Sequence, residues 1–147
     1  MASGKDNFDK QWWVRSVQGA TPAAGQELSI TVPSGVVWKI KSIFFQLVTN
    51  STVATRITVL QITDGTNIVF RSMISGAGQA ASLTGNYTWA PGQLVPGTAN
   101  VASYQAAIPQ DLVLLPGFVI STATISLQTG DQYGTLSLLV EQGDAGA

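Results

Sequence analysis

Proton transfer near neutral pH, thiolate chemistry and transition-metal binding fall mostly to histidine and cysteine, and this sequence contains neither. What remains for acid–base work is eight carboxylates. Asp6, Asp9 and Asp144 lie towards the chain ends, and Asp64, Asp111 and Asp131 sit in or beside turns. A turn aspartate is accounted for by the bonds its side chain makes to nearby backbone. Glu27 and Glu141 fall on strand faces expected to be exposed, and nothing pairs them as a glycosidase would require. A serine nucleophile without histidine needs a lysine base. Lys39 and Lys41 lie on one face of a strand with Ser42 next to them, and they read as a solvated strand face. Gly76-Ala77-Gly78 lacks the Lys-Ser/Thr and the helix of a phosphate loop. An oxygen-only calcium site at the turn carboxylates stays open; otherwise the residues predict no enzyme and no cofactor.

The aromatic residues are the stronger signal. Trp12, Trp13, Trp38 and Trp89, with Tyr87 and Tyr104, could stack on a sugar or anchor a protein interface. Adjacent residues of a strand point to opposite sides, so at least one of Trp12 and Trp13 must meet a partner or solvent. Core packing is the default for Trp38. The candidate partner-contact residues are Trp12, Trp13, Arg15, Trp89 and Tyr104.

The elements that would position them read as strands. Turn signals recur along the chain, and the segments between are rich in Val, Ile, Thr, Phe and Trp, as in a sandwich or barrel. Residues 1–25 read as an arm with a strand at Trp12 to Gln18. Gln26 to Val32 alternates Leu28, Ile30 and Val32 against polar neighbours and turns at Pro33-Ser34-Gly35. Val36 to Thr49 changes parity between Ile40 and Ile43, which predicts a bulge near Ser42. Asp64-Gly65 is a hairpin signal joining Val53–Thr63 to Asn67–Ile74. Ser75 to Gly78 reads as a loop, Ala81 to Trp89 as a strand, and Ala90 to Ser103 as the longest irregular connection. Pro109 breaks Tyr104–Leu115; Phe118–Leu127 and Tyr133–Glu141 complete the series, followed by a tail over 142–147. Eight strands over 26–141 predict an all-β, jelly-roll-like β-sandwich with an extended N-terminal arm. A seven-stranded immunoglobulin-like sandwich or a closed barrel fits nearly as well.

The chain has 147 residues, enough for one domain with a real core. Charged residues make up only 10%, against about 25% in an average protein, so the surface must be mostly Thr, Ser, Gln, Asn and Gly. Such a surface can be buried against a partner with little cost from desolvating unpaired charge. A net charge of -1 gives no field to draw in nucleic acid or an acidic membrane. The polar start, Met1-Ala2-Ser3-Gly4-Lys5-Asp6, carries no signal-peptide pattern. For that reason the sequons Asn50-Ser51-Thr52 and Asn86-Tyr87-Thr88 are discounted.

The run Val32-Pro33-Ser34-Gly35-Val36-Val37-Trp38-Lys39-Ile40, the segment Ile57 to Gly65, Gln79-Ala80-Ala81-Ser82-Leu83-Thr84, Trp89-Ala90-Pro91-Gly92, Leu114-Leu115-Pro116-Gly117-Phe118 and Gln128 to Gly134 together resemble small structural proteins encoded by tailed phages. The likeness spans the mid-twenties to Glu141 and rests on turn and strand markers. It implies a capsid decoration (cement) protein made in the host cytoplasm and sitting on the capsid exterior. Its expected partner is the major capsid protein, with a homo-oligomer, a trimer by preference, and no nucleic acid or membrane. The arm, with Trp12 and Trp13 as anchors, would be the clasp. A head-to-tail, baseplate or fibre component and a carbohydrate-binding module are the alternatives.

Overall fold

The computed structural model describes residues 11–74, 78–93 and 102–146, and over them the chain is an all-β sandwich of eleven strands. The strands are β1 (Trp13–Gln18), β2 (Ser29–Thr31), β3 (Val36–Val48), β4 (Val59–Thr63), β5 (Ile68–Met73), β6 (Thr84–Pro91), β7 (Ser103–Ile108), β8 (Val113–Leu114), β9 (Val119–Thr122), β10 (Gln132–Tyr133) and β11 (Ser137–Asp144). One sheet has the order β1-β11-β3-β6-β7, with β8 and β10 paired to opposite ends of β3; the other has the order β2-β9-β4-β5. The sandwich is as expected. The eight expected strands become eleven because Pro109 and the turn at Gly134 to Leu136 each split one expected segment, and residues 13–18 join the sheet.

Four antiparallel pairs are nested in sequence: β1 with β11, β2 with β9, β3 with β6, and β4 with β5. These eight strands follow a two-stranded ribbon whose tip is the Asp64-Gly65 turn, while β7 pairs parallel with β6, and β8 and β10 with β3. The further pairs β3 with β11 and β4 with β9 close that ribbon on itself. At the tip, Asp64 Oδ1 accepts the N–H groups of Thr66 and Asn67 at 2.9 and 2.7 Å, and Gly65 takes a φ of 99°, which a side chain would resist. These backbone bonds hold the Asp64 carboxyl below its ordinary pKa.

β3 is the spine. Against β11, Leu139 faces Ser42 and Val140 faces Ile40, so Lys41 is the extra residue of a bulge where the parity change predicts one. Because side chains alternate with period two, that residue is what lets Trp38 and Ile40 before it and Ile43, Phe45 and Leu47 after it all point inward. They meet Leu60 and Ile62 of β4, Ile120 of β9 and Leu138 and Val140 of β11 in one core. Each such side chain contributes ~1.5–3 kcal/mol by leaving water.

Three expected boundaries change. The expected tail over 142–147 is strand as far as Asp144, because Gln142, Gly143 and Asp144 pair with Trp38, Val37 and Val36. The expected arm over 1–25 is, in its described part, fastened to the body. There β1 pairs with β11, the Gly19 N–H donates to Leu136 O, the Gly25 N–H to Asp131 O, and Gln132 Nε2 to Pro22 O. The expected strand over 53–63 is regular only from Val59, since Arg56 and Ile57 make isolated bridges to Gln79 and Ile125 instead. Of the two expected loops, residues 75–77 and 94–101 lie outside the described residues.

Candidate partner-contact site

Among the described residues β1 is an edge strand, bonded to β11 on one side only. Its sequence alternates across the sheet. Val17 packs on the core, and Arg15, on the same side, donates from Nη1 to Gln142 Oε1 at 3.1 Å. That oxygen also accepts the buried Trp38 Nε1 at 3.0 Å, so Gln142 ties the edge to the interior. Trp13, 52% exposed, shares this side, and Val14, 65% exposed, lies on the other. Trp12 continues on the Val14 side. Its ring lies against Gly143, where a Cβ would come within 3.3 Å of ring carbons, and Lys39 Nζ stands 5.1 Å from its centroid, an attraction of the cation–π kind. Lys39 and Lys41 both reach Glu141, at 3.7 and 3.0 Å. The bond from Lys41, then the charge of both lysines, holds the Glu141 carboxyl below its ordinary pKa. Trp12 is thus seated by a glycine gap and a cation, yet remains 41% exposed.

Trp89 and Tyr104, expected beside Trp12 and Trp13 as contacts, are instead interior, at 0% and 6% exposure. The parallel pairing of β6 with β7 sets Tyr87 beside Tyr104, with ring centroids 4.6 Å apart. Phe45 stacks on Tyr87 and Trp89 at 5.4 and 5.6 Å, and Tyr133 meets Phe45 edge-on at 5.5 Å. Trp89 Nε1 finds Ser72 Oγ at 3.1 Å and the Tyr87 hydroxyl finds Gln79 Oε1 at 2.8 Å. The alternation Gly85, Tyr87, Trp89 was the signal for this inward face. With Tyr87, Trp89 and Tyr104 inside, a sugar platform keeps only Trp12 and Trp13.

Two further carboxylates, Glu27 and Asp131, are engaged in structural networks. Glu27, expected on an exposed face, is half-buried and accepts from Thr122 Oγ1 at 2.5 Å, Thr124 N at 2.6 Å and Thr124 Oγ1 at 2.9 Å. Thr124 also bonds the Tyr133 hydroxyl, which meets Thr58 Oγ1 at 3.0 Å. Burial pushes the Tyr133 phenol up to about 12.

Asp131 does hold its turn, accepting the Gln128 N–H at 2.8 Å. Its main partner is one that no sequence pattern points to. Arg56, fully buried, donates from Nε and Nη2 to its two oxygens at 2.8 and 2.9 Å. Arg56 also bonds Ala54 O and Asn50 Oδ1, at 2.8 and 2.7 Å. Burial alone would raise the Asp131 carboxyl, but the bonds from Arg56 and from the Asn50 and Gln128 N–H groups outweigh it and leave the pKa lowered. No buried side-chain nitrogen or oxygen among the described residues lacks a partner. Nor do three carboxylates gather there as a metal would need.

No protein-family model matches the chain, and no curated protein matches it. Among solved structures, a chain from the structure of infectious bursal disease virus Gx strain is similar at 13% identity and a TM-score of 0.22. The alignment covers 92% of this chain and 40% of that one, so this chain spans less than half of its length. A likeness at that level carries neither fold nor role across.

Proposed function

We propose that this protein is a non-catalytic structural component of a virion, of the capsid decoration (cement) type, fixed to the outer surface of a major capsid protein lattice. The observation that carries the reading is the β1 edge. Trp12, Trp13 and Val14 are exposed on both of its faces, while the rings of Phe45, Tyr87, Trp89, Tyr104 and Tyr133 are packed together inside. An edge strand offers unpaired N–H and C=O groups to an incoming strand, and tryptophans at such an edge supply large apolar contact with few torsions to freeze. A chain with only 10% charged residues has a surface that loses little on being covered. Glu27, Asp131 and Glu141 are engaged by Thr122 and Thr124, by Arg56, and by Lys39 and Lys41. A homotrimer would place three such edges around a local three-fold position, with closed symmetry.

The test is copy number. Quantitative mass spectrometry of purified particles from the phage that encodes the chain should find it in fixed stoichiometry to the major capsid protein, near one per capsid subunit or one trimer per local three-fold. A few copies per particle would assign it to the tail or connector, and absence from particles would reject a virion role.

A further inference from the structure

From Gln11 to Glu27 no residue is buried, and Leu28, 1% exposed, is the first that is. The stretch is nevertheless bonded along its length. β1 pairs with β11 from Trp13↔Gln142 to Gln18↔Ser137. Beyond it the Gly19 N–H donates to Leu136 O at 2.9 Å, the Thr21 and Thr135 hydroxyls meet at 2.7 Å, and Gln132 Nε2 donates to Pro22 O at 2.8 Å. Of the β1 side chains only Val17 packs on the core. A segment with so few buried apolar contacts opens at less cost than the domain unfolds. Its departure leaves the body whole, because β11 keeps its ladder to β3 and Leu136, Leu138 and Val140 stay in the common core.

The stretch ends at a hinge. A turn from Ala23 to Gln26 is closed by one bond, the Gln26 N–H to Ala23 O at 3.1 Å, and Ala23 and Ala24 are both exposed. The body side of that turn is fixed. The Gly25 N–H bonds Asp131 O at 2.7 Å, Glu27 accepts from Thr122 and Thr124, and the Leu28 N–H donates to Thr122 Oγ1 at 2.9 Å. A Cβ on Gly25 would come within 2.9 Å of the Thr129 backbone, so the chain is pressed against the body there. Extending Ala23 and Ala24 would therefore swing residues 11–22 as a unit.

What fits the vacated β11 edge is defined by the fold itself. It takes a strand of this sequence, with Trp13 opposite Gln142, Arg15 bonded to Gln142 and Trp12 over Gly143. A second copy supplies the same strand and re-forms each of these contacts. Closed and exchanged forms then differ in chain entropy and concentration rather than in bonding.

We propose that residues 11–22 are an exchangeable strap, which leaves its own β11 and lies along β11 of a neighbouring copy of this chain. In either form the outer edge of β1 keeps Trp12 and Trp13 for a further contact. The exchange deepens the assembly reading, on which its use rests, by naming a second copy as the partner of the strap.

Two measurements on the purified full-length protein test it. The Gly19–Leu136 bond sets the alternation of the ladder, so the amides of Arg15, Val17 and Gly19 point at β11. They should exchange with deuterium at least about a hundredfold faster than those of Ile43 and Phe45 in β3; equal protection overturns the strap. By the same alternation Ser16 and Leu139 are a close, non-hydrogen-bonded pair, and the chain has no cysteine of its own. Ser16→Cys protein mixed at millimolar concentration with Leu139→Cys protein, then oxidised, should give the mixed disulfide in about tenfold excess over a mixture with Thr66→Cys at the ribbon tip. Equal yields mean random collision and overturn the exchange. The double variant Ser16→Cys/Leu139→Cys, oxidised when dilute, locks the strap in place and should sediment as a monomer at concentrations where the wild type gains mass; equal gain by the locked form also overturns it. No particle enters these tests, so their failure leaves the copy-number result standing, and absence from particles leaves the exchange standing.

Discussion

Asp131 and Arg56 show how much one side-chain pair can decide. Between them they hold Asn50, Ala54 and Gln128, so two stretches of chain far apart in sequence, 50–56 and 128–131, meet on one buried charge pair. Removing a single partner strands the other, at a cost of ~3–5 kcal/mol. Asp131→Asn and Arg56→Leu should each lower the urea midpoint accordingly. The pH dependence has a definite sign. A carboxyl held below its ordinary value leaves the unfolded chain binding more protons, so the pair's stabilisation is complete above the unfolded pKa of ~3.9. It fades as pH falls through the lower folded value. Urea midpoints measured from near-neutral pH down into the acid range should therefore drop less steeply in Asp131→Asn; an unchanged slope would assign the acid sensitivity to other groups. The tyrosines carry the opposite sign. Burial raises all three phenols, Tyr87, Tyr104 and Tyr133. Phenolate absorbance should show no titration near the ordinary value of ~10, and should appear only higher, together with loss of structure.

At the scale of elements, the two classes of tryptophan separate cleanly. Trp89→Ala empties a fully enclosed site in the middle of an aromatic stack and should cost ~3–5 kcal/mol. Trp13→Ala and Trp12→Ala remove half-exposed rings from an edge and should change thermal stability far less, while weakening attachment to particles in a sedimentation assay. Attachment undiminished in both edge variants would reject β1 as the contact. Sequence pattern revealed β3 and its bulge because the information is local: Trp38, Ile40, Ile43 and Phe45 state both faces and the residue where they swap. It revealed the β4–β5 hairpin for the same reason, through Asp64-Gly65. It put Tyr104 at the surface, where the structure buries it, because the face of β7 is set by its parallel partner β6, reached through a long connection. The Arg56–Asp131 pair lay beyond reach altogether. The two residues are 75 positions apart, and an arginine before a strand and an aspartate in a turn each look ordinary alone.

Over the whole molecule, nesting is the organising fact. The ribbon tip, β4 with β5, is close in sequence, and each further pair out to β1 with β11 joins segments more distant along the chain. Long-range pairing of this kind is slow, so refolding on the millisecond-to-second scale is expected rather than microseconds, measurable by stopped-flow fluorescence. Nesting also brings Trp13 opposite Gln142, so the first and last strands finish side by side at one corner of the sandwich. A short glycine-serine bridge could join those two ends, and new ends could be opened at the Asp64-Gly65 tip. Such a circular permutant would keep every ladder of both sheets while exchanging the most distant contacts in the chain for its nearest ones. By the same geometry, cargo joined directly to the start of β1 or the end of β11 would emerge beside Trp12 and Trp13, whereas cargo inserted at the tip would emerge where β4 meets β5.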